Sequence, residues 1–322
     1  MNKYYLGIDT SAYTTSISLI DDNENIIFDL REYLKVHKNQ KGLRQQEAVF
    51  QHLNNFPKLI EKLSQDFDFS KIHTISVSSK PRNIQDSYMP VFIFGRNQAY
   101  ILSKTLKANY KEFSHQEGHI SAGLINNKNL FNKRFISLHI SGGTCEFLLV
   151  DNLKENLNIS LIGGSLDISF GQLIDRIGVY LGYEFPSGAE LDKKAMEGEL
   201  IDTKVPINIK DGFWTNISGL ENYFKNLIDE KNHKVEDIIF TLFYTISRII
   251  IKIILNTYIE YEIDDILITG GVAANSHIRK FLIDKLSRYK INVFFPYKKF
   301  CTDNAVGISY LGKIKKGHGM EV

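Results

Sequence analysis

Apolar and polar residues alternate along three short stretches at the start of the chain, and the same arrangement returns in its middle. Alternation with a period of two is typical of strands joined by tight turns. The first set is Tyr4–Ile8, Thr15–Ile20 and Asn25–Leu34, and the second is Phe135–Ile140, Glu146–Val150 and Ser160–Ile162. A polar turn follows the first strand of each set, Asp9-Thr10-Ser11 in one and Ser141-Gly142-Gly143-Thr144 in the other. This repeat predicts a duplicated α/β fold of two lobes, with the polar turns facing a central cleft.

Segments with helical periodicity separate these strands. Apolar residues recur every three or four positions in Arg44–Leu63, Met89–Leu106, Asp167–Leu181 and Val235–Ile259. Further buried strands are predicted at Ile72–Val77, Asp265–Thr269 and Val293–Pro296. Strands that alternate with helices indicate parallel pairing and a sheet covered on its faces.

Two later segments bear on the choice of site. The strand Asp265–Thr269 breaks at Gly270-Gly271 and continues as a predicted helix, Ala273–Leu286, with Asn275 in its first turn. A helix N-terminus after a glycine turn is a common place for a nucleotide. The last helix is predicted to start at Cys301-Thr302-Asp303-Asn304-Ala305, with Thr302 or Asp303 as its N-cap. The segment Leu200–Thr215, which carries the single Trp, is interpreted as an insertion over the cleft.

Composition is that of an ordered globular protein. The chain has 322 residues, 43% of them hydrophobic and 24% charged, and a net charge of +2. That charge is too small to identify a nucleic-acid binder by itself, so RNA binding would need a local basic patch or a partner. Cys145 and Cys301 do not form a disulfide framework, and we expect a cytoplasmic protein with free thiols. Arg248 and Lys252 interrupt the most apolar run, which predicts a buried helix with one wet edge and no membrane span.

The strongest chemical signal is His115-Gln116-Glu117-Gly118-His119, which opens a predicted helix. Histidines four residues apart lie on one helical face, where both imidazoles can bind a metal ion. The same spacing also occurs on solvated helix faces, and a capping role is the simpler interpretation of Asp303. A zinc-protease mechanism is excluded by geometry, because Glu117 lies about 200° around the helix from His115.

Seven short motifs follow one another along the chain: His115–His119, Ser141–Gly143, Asp167–Asp175, Pro186–Gly188, Ile217–Leu220, Gly270–Asn275 and Cys301–Ala305. Together they resemble the TsaD family, the tRNA threonylcarbamoyladenosine transferases once called Gcp glycoproteases and classed as M22 peptidases. The resemblance implies an actin-like fold of the sugar-kinase and heat-shock ATPase type. It places a first lobe at 1–131, with a C-terminal helix at 301–322 packing back on it, and a second lobe at 132–300 carrying the adenosine site.

The resemblance also implies the site residues. One iron or zinc ion would be held by His115, His119 and Asp303. An adenine nucleotide, either ATP or threonylcarbamoyl-AMP, would contact His139, Ile140, Ser141, Gly142, Gly143, Asp175, Gly188, Asp192 and Asn275. Mg²⁺ is an optional companion of this nucleotide. The implied partners are the adenylate, tRNA, and proteins of the TsaB and TsaE type, without a membrane. Asp9 and Ser141 are the candidates for a direct catalytic role.

The chain departs from the family pattern on its phosphate side and in its first lobe. The family's acidic pair after the first strand is replaced by Tyr13-Thr14, and Thr144-Cys145 stands where the family has His-Thr. Lys80-Pro81-Arg82-Asn83 replaces a Gly-Pro-Gly loop. These changes leave three functions open: transfer of a threonylcarbamoyl group to tRNA adenosine, a carbamoyl-type transfer to a small molecule, and a nucleotide-binding assembly subunit without catalysis.

Overall fold

The computed structural model describes residues 2–11, 13–36, 43–153 and 155–319, which form two compact units. The first unit comprises Met1–Phe131, Asn152–Asn158 and Asp303–Val322. The second comprises Asn132–Asp151 and Ile159–Thr302. The last segment of the chain therefore belongs to the first unit and brings Asp303 with it. Ala12, in the turn where the chain departs from the family pattern, and the final residues of the predicted C-terminal helix lie outside the described residues.

The first unit is a five-stranded sheet with helices on both faces. Its elements are β1 (Tyr4–Asp9), β2 (Thr14–Asp21), β3 (Ile26–Tyr33), α1 (Gln45–Asp66), β4 (Ile72–Lys80), α2 (Pro90–Leu106), β5 (Asn109–Ser114), α3 (His115–Leu124) and, from the end of the chain, α9 (Val306–Ile314). The strand order is β3-β2-β1-β4-β5. β1 pairs antiparallel with β2 and parallel with β4, and β4 pairs parallel with β5.

β1 is buried on both faces because its alternate residues face different helices. Leu6 and Ile8 pack into the core shared with α1 and α2. Gly7 points the other way, and a Cβ at this residue would lie only 2.4 Å from the backbone nitrogen of Ser309 in α9. The sequence Leu-Gly-Ile thus provides bulk toward one helical layer and close backbone approach toward the other.

The second unit is a larger sheet built on the same plan. Its elements are β6 (Arg134–Ile140), β7 (Cys145–Asp151), β8 (Asn158–Ser165), α4 (Phe170–Tyr180), α5 (Gly188–Lys194), β9 (Ile209–Lys210), β10 (Trp214–Thr215), α6 (Ser218–Asp229), α7 (Val235–Tyr261), β11 (Asp265–Thr269), α8 (Ser276–Leu286) and β12 (Asn292–Phe294). The strand order is β12-β11-β6-β7-β8-β10-β9. The run β8-β7-β6-β11-β12 repeats the order β3-β2-β1-β4-β5, so the predicted duplication is confirmed.

The helix α7 forms the centre of the second unit. By length and apolar composition it could cross a membrane, but 67% of its most apolar window is buried inside the protein. Arg248 and Lys252 are exposed along one edge, as predicted from the sequence. The apolar character of α7 is therefore accounted for by packing in the core.

Three predicted element boundaries are wrong, each because a side chain caps a helix at a different residue. α4 begins at Phe170, with Ser169 and Gln172 forming a capping box, so Asp167 lies before the helix. α8 begins at Ser276, and Asn275 is its N-cap rather than part of its first turn. α9 begins at Val306, and its start is held by the Asn304 side chain, not by Thr302 or Asp303.

The segment Leu200–Thr215 also differs from its interpretation as an insertion. It contains β9 and β10, which extend the edge of the second sheet because Trp214 pairs in parallel with Gly164 of β8. The amphipathic helix α6, which follows directly, was not predicted from the sequence.

We predict that Gly307→Ala destabilises the first unit. A Cβ at this residue would lie 1.9 Å from the carbonyl oxygen of Gly118 and 2.8 Å from the amide nitrogen of Ala122, both backbone atoms of α3. Overpacking of this kind costs about 1–3 kcal/mol. Gly219→Ala is the control, because nothing lies within 4 Å of its added Cβ. Urea unfolding of both variants measures the difference, and equal stability would contradict the close contact of α3 and α9.

Candidate metal centre and nucleotide site

The helix that carries the two histidines begins in a capping box. β5 ends at Ser114, whose backbone N–H and hydroxyl both donate to Oε2 of Glu117 at 2.7 Å. The Glu117 N–H in turn donates to the Ser114 hydroxyl. Glu117 is buried, and burial raises the pKa of its carboxyl group. The acidic residue of the motif therefore fixes the start of α3.

The return of α9 to the first unit places Asp303 beside both histidines. Nε2 of His119 lies 3.0 Å from Nε2 of His115, and Oδ1 of Asp303 lies 3.3 Å from His119 Nε2 and 3.6 Å from His115 Nε2. Among the described residues, these three form a cluster whose ligand atoms all lie within 4.8 Å of one another. Zinc–nitrogen bonds of about 2.0–2.1 Å in tetrahedral geometry separate ligand atoms by about 3.3 Å. Donor types and spacings therefore fit a single ion of zinc or iron type with open positions.

An arginine side chain of the first unit contacts the Asp303 backbone. Nη1 of Arg31 on β3 lies 3.5 Å from the Asp303 carbonyl oxygen, and Arg31 is itself paired with Asp29 at 2.8 Å. The close contact between α3 and α9 at their glycines also helps to position Asp303, since it sets the distance from Asp303 to the helix face that carries the histidines. Packing of α9 on α3 therefore contributes to the position of the third ligand.

The cluster is electrostatically coupled to Asp9, the last residue of β1. Asp9 is 1% exposed, and its Oδ2 lies 2.7 Å from Nδ1 of His115. Burial opposes protonation of His115, but Asp9 and Asp303 outweigh it and raise its pKa to about 10. Burial and the charge of His115 lower the pKa of His119, and both histidines hold the pKa of Asp303 well below its usual range against its burial. A metal ion at this place would displace the proton from Nε2 of His115.

Two of the segments where the chain departs from the family lie in the first unit, which also contains this cluster. Tyr13 is half-exposed and accepts the Leu34 N–H through its backbone carbonyl, while Thr14 is buried on β2. In the loop that replaces Gly-Pro-Gly, the Pro81 carbonyl accepts the Gln116 N–H in the first turn of α3. The altered loop therefore still contacts the helix that carries the metal ligands.

In the second unit, the turn after β6 exposes bare backbone. The Ser141 hydroxyl accepts the N–H of Thr144 at 3.0 Å, so it shapes the turn rather than standing free as a nucleophile. A Cβ at Gly142 or Gly143 would meet nothing within 4 Å. The Ser169 hydroxyl, at the start of α4, donates to the Gly142 carbonyl at 2.9 Å. Open backbone at this edge of the sheet suits the close approach of phosphate or ribose oxygens.

The turn after β11 lies next to it, and a carboxylate lies at the N-terminus of the helix that follows. Asp192 accepts the Ser276 N–H at 2.9 Å and the His277 N–H at 3.4 Å, so a carboxylate already occupies the N-terminus of α8. The open backbone is one turn earlier, at Gly271, where an added Cβ would meet nothing within 4 Å. Gly270 has φ of +92° and packs on the Ile140 carbonyl, which fixes that turn to β6.

The remaining predicted nucleotide contacts fall into two groups. Asn275 caps α8 by accepting the Ile278 N–H at 2.8 Å through Oδ1, which leaves its amide nitrogen to meet a ligand. Asp175 accepts the Ser187 N–H at 2.8 Å beside Gly188, and burial raises its pKa. The side chains of His139 and Ile140, by contrast, are buried, with the His139 ring 3.1 Å from the Thr269 hydroxyl. These two side chains therefore stabilise the turn from the interior of the second unit.

Comparisons with known proteins identify the family of the chain. A model of the TsaD family, described as tRNA N6-adenosine threonylcarbamoyltransferase, matches residues 26–310. The chain belongs to the TsaD family. It is 28% identical over 320 residues to a tRNA N6-adenosine threonylcarbamoyltransferase of Thermotoga neapolitana, covering 97% of this chain and 94% of the relative. A relative of the same name from Mycoplasma capricolum is 28% identical over 95% of this chain and 96% of its own length. The resemblance read from the motifs, and the transferase class that goes with it, are confirmed.

Solved structures identify the fold. HypF, in a phosphate- and nucleotide-bound form, superposes with a TM-score of 0.59 at 12% identity over 95% of this chain, which spans 45% of the length of HypF. A ROK family glucokinase of Streptomyces griseus superposes with a TM-score of 0.53 at 8% identity, covering 97% of this chain and 99% of the glucokinase. The predicted actin-like fold of the sugar-kinase type is confirmed.

Sequence reasoning did not find the structural roles of Asp9, Glu117 and Gly307. The serine and glutamate three residues apart at Ser114 and Glu117 are a recognisable capping signal that could have been read in advance. The contact between Asp9 and His115 joins distant parts of the chain and has no local signature.

We predict that His119→Ala removes stoichiometric metal while the fold is retained, because an open site on a large core contributes less to folding than a structural zinc. Elemental analysis after reconstitution with zinc measures the loss, and circular dichroism checks the fold. His233→Ala, at an exposed residue of the second unit, is the control. Full metal content in the His119 variant would refute the ligand assignment.

We also predict that Asn275→Ser weakens AMP binding about tenfold, the equivalent of about 1.4 kcal/mol for one lost hydrogen bond. Serine keeps an oxygen that can cap α8, so thermal stability and metal content should not change. Calorimetric titration with AMP provides the affinity. Asn226→Ser, at an exposed residue of α6, is the matched control. Equal affinity for AMP in both variants would show that Asn275 does not bind the nucleotide.

Proposed function

We propose that this protein transfers a threonylcarbamoyl group from its adenylate to N6 of adenosine in tRNA, with a metal ion held by His115, His119 and Asp303. The observation that carries the proposal is the convergence of these three side chains, from α3 and from the returning C-terminal segment, in a chain of the TsaD family. Three protein ligands with an open position are typical of a catalytic metal site, whereas structural zinc sites use four protein ligands, so the set favours catalysis.

The reaction is an acyl transfer. N6 of the adenosine forms a bond to the carbamoyl carbon, the bond from that carbon to the phosphate oxygen breaks, and AMP leaves, while N6 loses a proton. Negative charge develops on the carbonyl oxygen and on the departing phosphate, and stabilising it is the largest part of such catalysis. When bound, the ion would supply Lewis acidity at the oxygens that carry this charge.

The residues of the second unit would bind the adenylate. The bare backbone at Gly142, Gly143 and Gly271 allows phosphate or ribose oxygens to approach N–H groups without steric hindrance. The amide nitrogen of Asn275 would contact the nucleoside. Asp175 and Asp192 have the acceptor oxygens that ribose hydroxyls require, but both already accept backbone N–H groups, so ribose would share them. Mg²⁺ would accompany the nucleotide if ATP itself is bound.

Asp9 and Ser141 are less suited to direct catalysis than the sequence suggested. Both oxygens of the Asp9 carboxylate are engaged, one by the Ser11 N–H at 2.8 Å and one by His115 at 2.7 Å. The Ser141 hydroxyl holds its own turn. We infer that neither acts as the base toward N6.

Protein partners of the TsaB and TsaE type fit the first unit. Phe50 and Leu53 of α1 are 65% and 49% exposed, and Ile101 of α2 is 56% exposed. Phe50 and Leu53 are three residues apart and lie on one face of α1, and contiguous exposed apolar surface is typical of an interface. We propose that a partner subunit covers these residues in the working assembly.

The decisive experiment supplies preformed threonylcarbamoyl-AMP, labelled in the threonine, to the zinc- or iron-loaded protein with a tRNA transcript. We predict modified adenosine in the tRNA by nucleoside mass spectrometry, and its loss to below about one hundredth in His119→Ala but not in His233→Ala. Consumption of the donor with an unmodified tRNA and a labelled small-molecule product would assign the protein to small-molecule transfer. Nucleotide binding without any consumption of the donor would assign it to assembly.

A further inference from the structure

The contact between Asp9 and His115 joins a residue outside the ligand set to one inside it. Oδ2 of Asp9 lies 2.7 Å from Nδ1 of His115, on the side of the ring opposite the nitrogen that faces His119 and Asp303. A carboxylate can only accept at this distance, so Nδ1 carries the proton. Nε2 is then the ring nitrogen whose lone pair is available to an ion.

The Asp9 carboxylate is held in place independently of His115. Its Oδ1 accepts the Ser11 N–H at 2.8 Å. The next residue, Thr10, donates its hydroxyl to the Val91 carbonyl at 2.9 Å and packs against Gly95, where an added Cβ would lie 2.5 Å from the Thr10 hydroxyl oxygen. The end of β1 is thus fixed to α2, and Asp9 is 1% exposed. Because the carboxylate cannot follow the ring, the ring must orient to the carboxylate.

We propose that Asp9 is a positioning residue that fixes the orientation of His115 and the tautomer whose Nε2 is free to bind the metal. Partners of this kind behind a ligating imidazole set its tautomer and are worth about 10- to 100-fold in metal affinity. The inference rests on the proposed metal site and adds to it a fourth residue, which does not itself touch the ion.

The structure also predicts how an isosteric change would act. In Asp9→Asn, the Ser11 N–H still requires an acceptor, so the amide oxygen takes the place of Oδ1 and the amide NH₂ faces Nδ1 of His115. A donor in that place forces the lone pair onto Nδ1 and the proton onto Nε2, where it blocks the ion. Asp9→Ala removes the partner altogether and leaves His115 free to adopt either tautomer. Asp9→Asn changes the shape of the side chain less than Asp9→Ala does, but it is expected to weaken metal binding more.

Zinc affinity and stability of the purified full chain test this prediction. Titration of the metal-free protein with zinc against a competing chelating dye should give the order unaltered protein, then Asp9→Ala, about 10- to 100-fold weaker, then Asp9→Asn, weaker again. Thermal unfolding of the metal-free proteins should rank the two variants in the opposite order, because Asn keeps the buried volume and hydrogen bonds that Ala loses. Asp66→Asn, at an exposed residue at the end of α1, is the control and should match the unaltered protein in both measurements.

The outcomes separate the inference from the proposed function. Opposite rank orders for affinity and stability support the positioning role, since a purely structural role would give the same order for both. Equal zinc affinity of Asp9→Asn and the unaltered protein overturns the inference and leaves the metal site standing. Absence of zinc binding in the unaltered protein overturns the metal site and the inference together.

Discussion

The candidate metal site depends on how closely two helices approach. α3 carries both histidines and α9 follows Asp303, and the helices meet where Gly307 packs on the backbone of Gly118. No side chain fits between them, since an added Cβ would lie 1.9 Å from a carbonyl oxygen. A glycine is required at Gly118 for steric reasons, because a larger residue there would press on Ile308 and move the histidine face away from Asp303.

The two units use one topology for different chemistry. In the first, two strand ends present side chains: Asp9 ends β1, and Ser114 ends β5 and leads into the histidine helix. In the second, two strand ends present main chain, at Gly142-Gly143 after β6 and at Gly271 after β11. Side chains with lone pairs bind ions, whereas bare N–H groups suit the oxygens of a nucleotide. Duplication thus supplied two scaffolds, and the residues at the strand ends distinguish them.

The amino-acid sequence predicted the strands, their duplication and the ligand types, because periodicity and residue chemistry are local properties. The incorrect predictions concern the first residues of helices, because single side-chain hydrogen bonds decide where a helix begins. Asn275 caps α8 from the preceding position, and the Asn304 side chain accepts the first N–H of α9. It also missed that Asp192 occupies the N-terminus of α8, a contact between residues far apart in the chain. Family resemblance brought Asp303 to the histidines, since spacing within a single segment could not.

The return of the chain to its first unit has a consequence for biosynthesis. When residue 131 has been made, the sheet face that α9 covers is still open, with Gly7 and Gly118 lacking the backbone that packs on them. The whole second unit must be synthesised before Asp303 and α9 are available. The first unit is therefore completed only after the second has been synthesised, and until then the growing chain has both histidines without their third ligand. A metal ion can be acquired in its final coordination only by a chain whose synthesis has passed Asp303.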